Sequence, residues 1–420
     1  MDAKMVIIMK SRYLSSYLRE LSLARMKMAF LTGPRQVGKT TLAKTLLQKQ
    51  GSGTYYNWDD IEFRRKWVKH PRSIVETSFQ EMGRSRGAPL LVLDELHKAK
   101  GWKGTLKGIY DHEGSRAHFL VTGSARLNVY KKGSDSLMGR YLSFRLHPLS
   151  VGELLNGDPR GPDETLEKVF SADSSRRADA LAAWKDLSAY GGFPEPFFSQ
   201  SEKVARLWRR NRLEKIVRED LRDLSRLPEL SQVEMLVALL PEKAAGSLSV
   251  QSLREDLEVA HDTVKRWLTY LSELYYFFEI KPYTRSIPRT LKKEGKLYLW
   301  DWSEIQDEGS RFENRVASHL LKACHYWTDT GEGNFELQYL RDKQKREIDF
   351  VIIRDKRPWL AIEAKKSDTS WSSNFDAFQK HLGNIPCIQV VDTPAVRIHK
   401  RDLPYRNLVC SAASVFKYFP

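Results

Sequence analysis

Cysteine is scarce in this 420-residue chain, with Cys324, Cys387 and Cys410 its three, at spacings that match no metal-ligand pattern. So odd and scattered a set argues against a disulfide framework and suits a reducing compartment, so a cytoplasmic location is expected. Long apolar runs are missing too: nothing approaches the roughly 18 residues a membrane-spanning helix needs. The opening MDAKMVIIMK has five apolar residues in a row and no small-residue cleavage site, and does not read as a secretory signal. Acidic residues are the minority charge, 53 Asp and Glu against 69 Lys and Arg, which leaves a net charge of +16. Such an excess favours polyanionic partners, because phosphate neutralisation releases counterions. With 41% apolar and 29% charged residues the composition is globular, and the length suggests about two to four domains.

What is present begins with MKMAFLTGPRQVGKTTLAKTLLQ. A short apolar stretch, Met28 to Leu31, precedes Gly33, Pro34, Arg35, Gln36, Val37, Gly38, Lys39, Thr40 and Thr41, and a helix carrying Leu42, Leu46 and Leu47 follows. This is a phosphate-binding loop in its strand–loop–helix setting. The glycines let backbone N–H groups wrap phosphates at a helix N-terminus. Lys39 is expected to reach the β- and γ-phosphates of ATP, and the Thr40 hydroxyl to hold Mg²⁺. The buried stretch APLLVLDE ends in two carboxylates where α/β folds bind ligands. Asp94 is assigned to the magnesium shell and Glu95 to activation of the attacking water. A third buried stretch, AHFLVTGSAR, ends in Thr122-Gly123-Ser124, and Ser124 is assigned as nucleotide sensor. Arg140, after a glycine in an expected exposed turn, is the candidate finger for a neighbouring subunit's γ-phosphate, with Arg126 its rival.

The motifs GPRQVGKTT, LLVLDELHK, LVTGSARL, GRYLSFRLHPLSVGELL and YGGFPEPF together resemble a large prokaryotic family of AAA-type ATPases. Members of that family carry a C-terminal domain of restriction-endonuclease-like fold. The resemblance spans nearly the whole chain. It implies an ATPase that works as a ring or another homo-oligomer, with six subunits as the family-level expectation.

Residues 156–174 are polar and read as a loop, and helical patterns then resume up to Gly191-Gly192. The segment SLSVQSLREDLEVAHDTVKRWLTYLSELYYFFEIKPY has a helix–turn–helix rhythm, its second helix starting at Asp262. Thr263, Lys265, Arg266 and Thr269 fall on that helix's outer face, and Lys281 to Lys296 would form a basic wing. The residues assigned to DNA are Lys265, Arg266, Arg285, Arg289, Lys292 and Lys293. A packing or protein-docking role for the same module is the alternative.

Near the C-terminus, EIDFVIIR and PWLAIEAKK read as paired strands. Glu363 and Lys365, two apart, share a face, and pairing can bring Asp349 beside Glu363. Glu313 lies near the start of a preceding helix. Glu313, Asp349, Glu363 and Lys365 resemble the Glu…Asp…Glu-x-Lys pattern of restriction-endonuclease-like nucleases, in which carboxylates hold Mg²⁺ and the lysine supports phosphodiester cleavage.

The expected fold is therefore α/β: a P-loop AAA-type ATPase core (residues 1–155), a helical lid (156–227), a winged helix (228–300) and a restriction-endonuclease-like α/β domain (301–420). The expected function is an ATP-driven machine that remodels or translocates duplex or branched DNA, four-way junctions included, and cleaves it if the C-terminal site is competent. The competing reading is a nucleotide-dependent switch whose C-terminal half docks a partner protein.

Overall fold

The computed structural model describes residues 12–81, 87–123, 137–155, 159–171, 177–221, 230–284, 294–400 and 403–420. Ser124, Arg126, Arg285, Arg289, Lys292 and Lys293 lie outside them. The chain forms two compact units, Met1–His147 and Pro148–Pro420.

The first unit is built on five parallel strands: β1 (Met28–Thr32), β2 (Gly53–Asn57), β3 (Leu90–Asp94), β4 (His118–Thr122) and β5 (Tyr141–Arg145), in the order β2-β3-β4-β1-β5. β1 and β3 are buried along their whole length, as strands covered on both faces must be. Helices α1 (Lys39–Gln50), α2 (Ile61–Lys69), α3 (Ser73–Glu81) and α4 (Trp102–Glu113) accompany the sheet. Phe30, Tyr56, Phe63, Trp67, Trp102 and Phe119 anchor the core. Parallel pairing in register brings the C-terminal ends of β1, β3 and β4 to one edge, and the three segments singled out for nucleotide binding meet there.

The second unit begins with helices. α5 (Pro162–Phe170) lies where the sequence reads as a loop. Pro162 occupies the first helical turn, where its missing N–H costs nothing, and Thr165, Leu166 and Val169 bury one face. α6 (Arg177–Tyr190) ends at Gly191, whose φ of +78° is the left-handed conformation common after a helix. α7 (Pro194–Ser199), α8 (Glu202–Glu214) and α9 (Leu230–Leu239) follow. The helix–turn–helix pair is α10 (Val250–Leu257) and α11 (His261–Glu273). α11 starts one residue earlier than expected, behind Ala260 and without a side-chain cap, and Asp262 sits in its first turn.

An eight-stranded sheet completes this unit: β6 (Phe277–Pro282), β7 (Lys296–Leu299), β8 (Phe335–Arg341), β9 (Glu347–Arg354), β10 (Arg357–Lys365), β11 (Cys387–Val391), β12 (Arg397–Ile398) and β13 (Asn407–Ser411). Its order is β12-β13-β11-β10-β9-β8-β6-β7. Lys281 and Pro282 pair in parallel with Gln338 and Tyr339, so the hairpin of the helix–turn–helix module and the C-terminal strands share one sheet. The 22-residue helix α12 (Glu308–Asp329) is capped by Asp307, whose carboxylate accepts from Ser310 N at 2.7 Å. α12 buries Phe312, Val316, Leu320 and Cys324 as its pattern predicts, and Arg315, His319 and Lys322 as well. Arg315 pairs with Asp392 at 2.9 Å and stacks on Trp184. α13 (Ser373–Leu382) and α14 (Ala412–Phe416) close the unit. All three cysteines are buried. Among the described residues no helix is long and apolar enough to cross a membrane.

Candidate functional site

The loop after β1 is shaped by two glycines. Gly33 has φ +147° and packs against the Leu146 carbonyl where a Cβ would collide, and Gly38 has φ +101°. Both values lie outside the range most side chains tolerate. Gly38 precedes α1, so the loop's N–H groups and the positive end of the helix face the same space. Lys39 is buried, and its Nζ donates to Gly33 O at 2.9 Å and Pro34 O at 2.6 Å. The ammonium thus bridges the mouth of the loop.

Asp94, at the end of β3, is the hub. Its Oδ2 accepts from Thr40 Oγ1 at 2.8 Å and from Tyr55 OH at 2.6 Å, and its Oδ1 accepts from Thr122 Oγ1. Burying a carboxylate is costly unless its oxygens accept hydrogen bonds, and these three hydroxyls supply them. Burial, reinforced by the hydrogen bond to Asp94, pushes the Tyr55 phenol up, so it stays a donor. Glu95 takes a left-handed φ of +57°. Its Oε2 lies 3.6 Å from His97 Nε2 and 3.8 Å from Lys98 Nζ. Burial raises the Glu95 carboxyl above its ordinary range, while Lys39 and Lys98 oppose the shift. A more basic carboxylate beside a phosphate cradle is suited to accept a proton from water.

Three contributors escaped the sequence reading. Tyr55 lies in GTYYN, where alternation puts adjacent tyrosines on opposite faces, and only sheet register shows which one meets Asp94. Thr122 was visible at the end of its strand, next to the preferred Ser124, and it is Thr122 that reaches Asp94. Arg12 Nη1 donates to Val37 O at 2.6 Å and its Nη2 to His147 O at 2.6 Å, which clamps the loop from 25 residues upstream. Tyr55→Phe is expected to cost about 1.5–3 kcal/mol, the worth of a hydrogen bond to a charged group, measured by chemical denaturation. An unchanged midpoint would mean that Tyr55 does not support Asp94.

Arg140 immediately precedes β5, and its backbone carbonyl accepts from Met28 N. It therefore lies at the opposite end of the parallel sheet from the loop that follows β1. Its guanidinium is held by Asp111 on α4 at 2.6 and 3.1 Å.

In the second unit the four C-terminal residues converge. β9 and β10 pair antiparallel, with Phe350 opposite Ile362. Asp349 Oδ2 accepts from Ala364 N at 2.9 Å. Glu363 is fully buried, at 0% exposure; its Oε1 accepts from Ser372 Oγ at 3.2 Å and Asn374 Nδ2 at 3.1 Å, and Lys365 Nζ lies 3.0 Å from Oε2. Burial and the neighbouring Asp349 charge raise the Glu363 carboxyl, and act the same way on Glu313. One residue was not foreseen here. Lys296, counted among the wing cations, is 6% exposed, and its Nζ lies 3.1 Å from Glu313 Oε1, 2.5 Å from Glu347 Oε1 and 3.8 Å from Asp349 Oδ1. Tyr298 OH also donates to Glu313 Oε1 at 2.8 Å. An ammonium thus stands among the oxygens assigned to magnesium. Among the described residues no group of three or more His, Cys, Asp and Glu side chains is arranged to hold a metal ion, and this donor set, as it stands, does not fit one.

The parallel sheet, the loop after β1 and the Asp94 hub have the arrangement of a P-loop domain. A family model described as "AAA domain" matches residues 25–155. Two domains of unknown function match further along, DUF8612 over residues 181–303 and DUF4143 over 308–411. An uncharacterised protein of Mycobacterium tuberculosis is 24% identical over 363 residues, covering 83% of this chain and 72% of its own. Among solved structures, the Aeropyrum pernix ORC1 protein in complex with DNA is 15% identical at a TM-score of 0.31, covering 76% of this chain and 98% of that one. The Thermotoga maritima RuvB Holliday junction branch migration motor is 16% identical at a TM-score of 0.31, covering 67% and 94%.

Proposed function

We propose that this protein is an ATPase that works as a homo-oligomer, a ring being the expected form, and couples hydrolysis to the binding of duplex or branched DNA. The observation that carries the ATPase reading is the meeting of Lys39, Thr40, Asp94 and Glu95 at one edge of the parallel sheet. The loop N–H groups and Lys39 bind and orient the phosphates. Thr40 and Asp94, already 2.8 Å apart, fit a magnesium ion and would hold it, and the ion would supply charge neutralisation between the phosphates. Thr122 and Tyr55 keep Asp94 oriented. Glu95 takes the proton from the attacking water.

The finger must come from a neighbour. β5 is five residues long, so Arg140 stands about 16 Å from the nucleotide edge, at roughly 3.3 Å per residue, and cannot reach its own nucleotide. Met138 and Leu142, 76% and 39% exposed, flank it. An arginine among exposed apolar side chains on an edge strand suits an interface between subunits. Asp111 holds the guanidinium in place until a γ-phosphate competes for it.

DNA binding is supported by the net charge and by the module of α10, α11 and the β6–β7 hairpin, which we read as a winged helix. Lys265, Arg266 and Thr269 are exposed on α11, opposite the buried Val264, Trp267, Leu268 and Leu271. We read the helices from α5 to α8 as the lid. The succession α12, β8, β9, β10, α13 and β11, with three antiparallel strands joined by a parallel fourth, supports a restriction-endonuclease-like arrangement. No cleavage step is derived from it, because its carboxylates do not fit a metal ion. Replacing Lys265 and Arg266 together by alanine is expected to weaken binding uniformly across DNA sequences and to flatten the salt dependence by about two counterions. Fluorescence anisotropy over a salt series reads both, and an unchanged slope would remove α11 from the DNA interface.

A further inference from the structure

We infer that Lys296 is the resident cation of the C-terminal domain: its ammonium fills the pocket made by Glu313, Glu347 and Asp349 in the place of a divalent metal, so the domain keeps its charge balance without one. The proposal goes beyond the ATPase reading and does not depend on it. The pocket gathers carboxylates from two elements, Glu313 on α12 and Glu347 and Asp349 on β9, with Glu363 on a third, β10. Four buried or half-buried carboxylates gathered this closely are costly to desolvate unless cations sit beside them. Lys365 serves Glu363 at 3.0 Å. Lys296 serves the other three, at 2.5, 3.1 and 3.8 Å.

Geometry separates this arrangement from a metal site waiting to be filled. Magnesium takes oxygens at about 2.0–2.1 Å in an octahedral shell. Here Glu313 Oε1 and Glu347 Oε1 both converge on Nζ, Glu313 Oε1 is also bonded to Tyr298, and Asp349 Oδ2 is bonded to Ala364 N. A divalent ion placed among the same oxygens would meet the ammonium at contact distance in a medium of low polarity, where like charges repel strongly. The lysine is also tethered. It opens β7, paired with Ile280 of β6, so it cannot diffuse away as a hydrated ion does. The sheet would have to yield before a metal entered. In consequence the domain lacks the centre that would generate hydroxide beside a phosphodiester, and its resemblance to nucleases is one of shape and charge.

The test is a Mn²⁺ titration of the full-length, nucleotide-free protein followed by calorimetry, beside Lys296→Met, Lys296→Arg and the double variant Lys296→Met/Asp349→Asn. Wild type and Lys296→Arg are expected to show no Mn²⁺ site that depends on Asp349. Lys296→Met should gain a single site per chain, and the double variant should lose it. The proposal is overturned if wild type binds Mn²⁺ and Asp349→Asn abolishes that binding, or if a folded Lys296→Met gains nothing. Should Lys296→Met fail to fold, the melting temperature of wild type decides. It is expected to be the same in EDTA and in Mn²⁺, and a Mn²⁺-dependent rise that Asp349→Asn removes overturns the proposal.

Discussion

Glu95→Gln is expected to lower ATP turnover by about 10²–10⁴-fold, the usual worth of a positioned general base, while ATP still binds. The amide keeps the size of the side chain, so loop, helix and hub remain assembled. It cannot take a proton, and that function rests on a carboxylate made more basic by burial. Nucleotide affinity, read by fluorescence titration, should stay within a few-fold of wild type. By contrast Lys39→Ala should lose affinity as well, since Lys39 lies in the cradle itself. If Glu95→Gln hydrolysed ATP at the wild-type rate, another group would have to be the base.

The second large effect concerns Arg140. Arg140→Ala is expected to reduce turnover of the assembled protein by about 10³–10⁵-fold, as loss of a finger does elsewhere, and to leave nucleotide binding alone. Its position excludes action within one subunit, so mixing has a defined result. Arg140→Ala and Lys39→Ala are each inactive, yet their mixture should regain activity, because some interfaces then pair an intact cradle with an intact finger. Mixtures that stay inactive at every ratio would show that Arg140 serves only to pair with Asp111.

Much of this arrangement is legible in the sequence, and the reason differs from place to place. The phosphate-loop pattern is readable because it is local: two glycines, a lysine and a threonine fall within the eight residues from Gly33 to Thr40. Asp94 and Glu95 are readable because a buried strand ending in carboxylates has few alternatives. Tyr55, Thr122 and Arg12 act on those groups through register and folding back of the chain, and short-range spacing carries neither. The helix over Pro162–Phe170 was hidden by its polar flanks, although the proline that looks like a breaker opens it. Lys296 is the most instructive case. In sequence it belongs to a basic run that invites a phosphate-binding reading. In the structure the β6–β7 pairing turns it inward, onto carboxylates up to 53 residues further along.

The central claim, that this chain hydrolyses ATP and works on DNA, is tested most directly by the rate of ATP hydrolysis of the full chain with and without duplex, single-stranded and four-way-junction DNA, against Lys39→Ala. The account predicts a basal rate that one DNA form raises several-fold, a stimulation that fades as salt increases and that Lys39→Ala abolishes. A robust rate indifferent to every DNA form and to salt would contradict it, and would turn the exposed face of α11 into a docking surface for a protein partner.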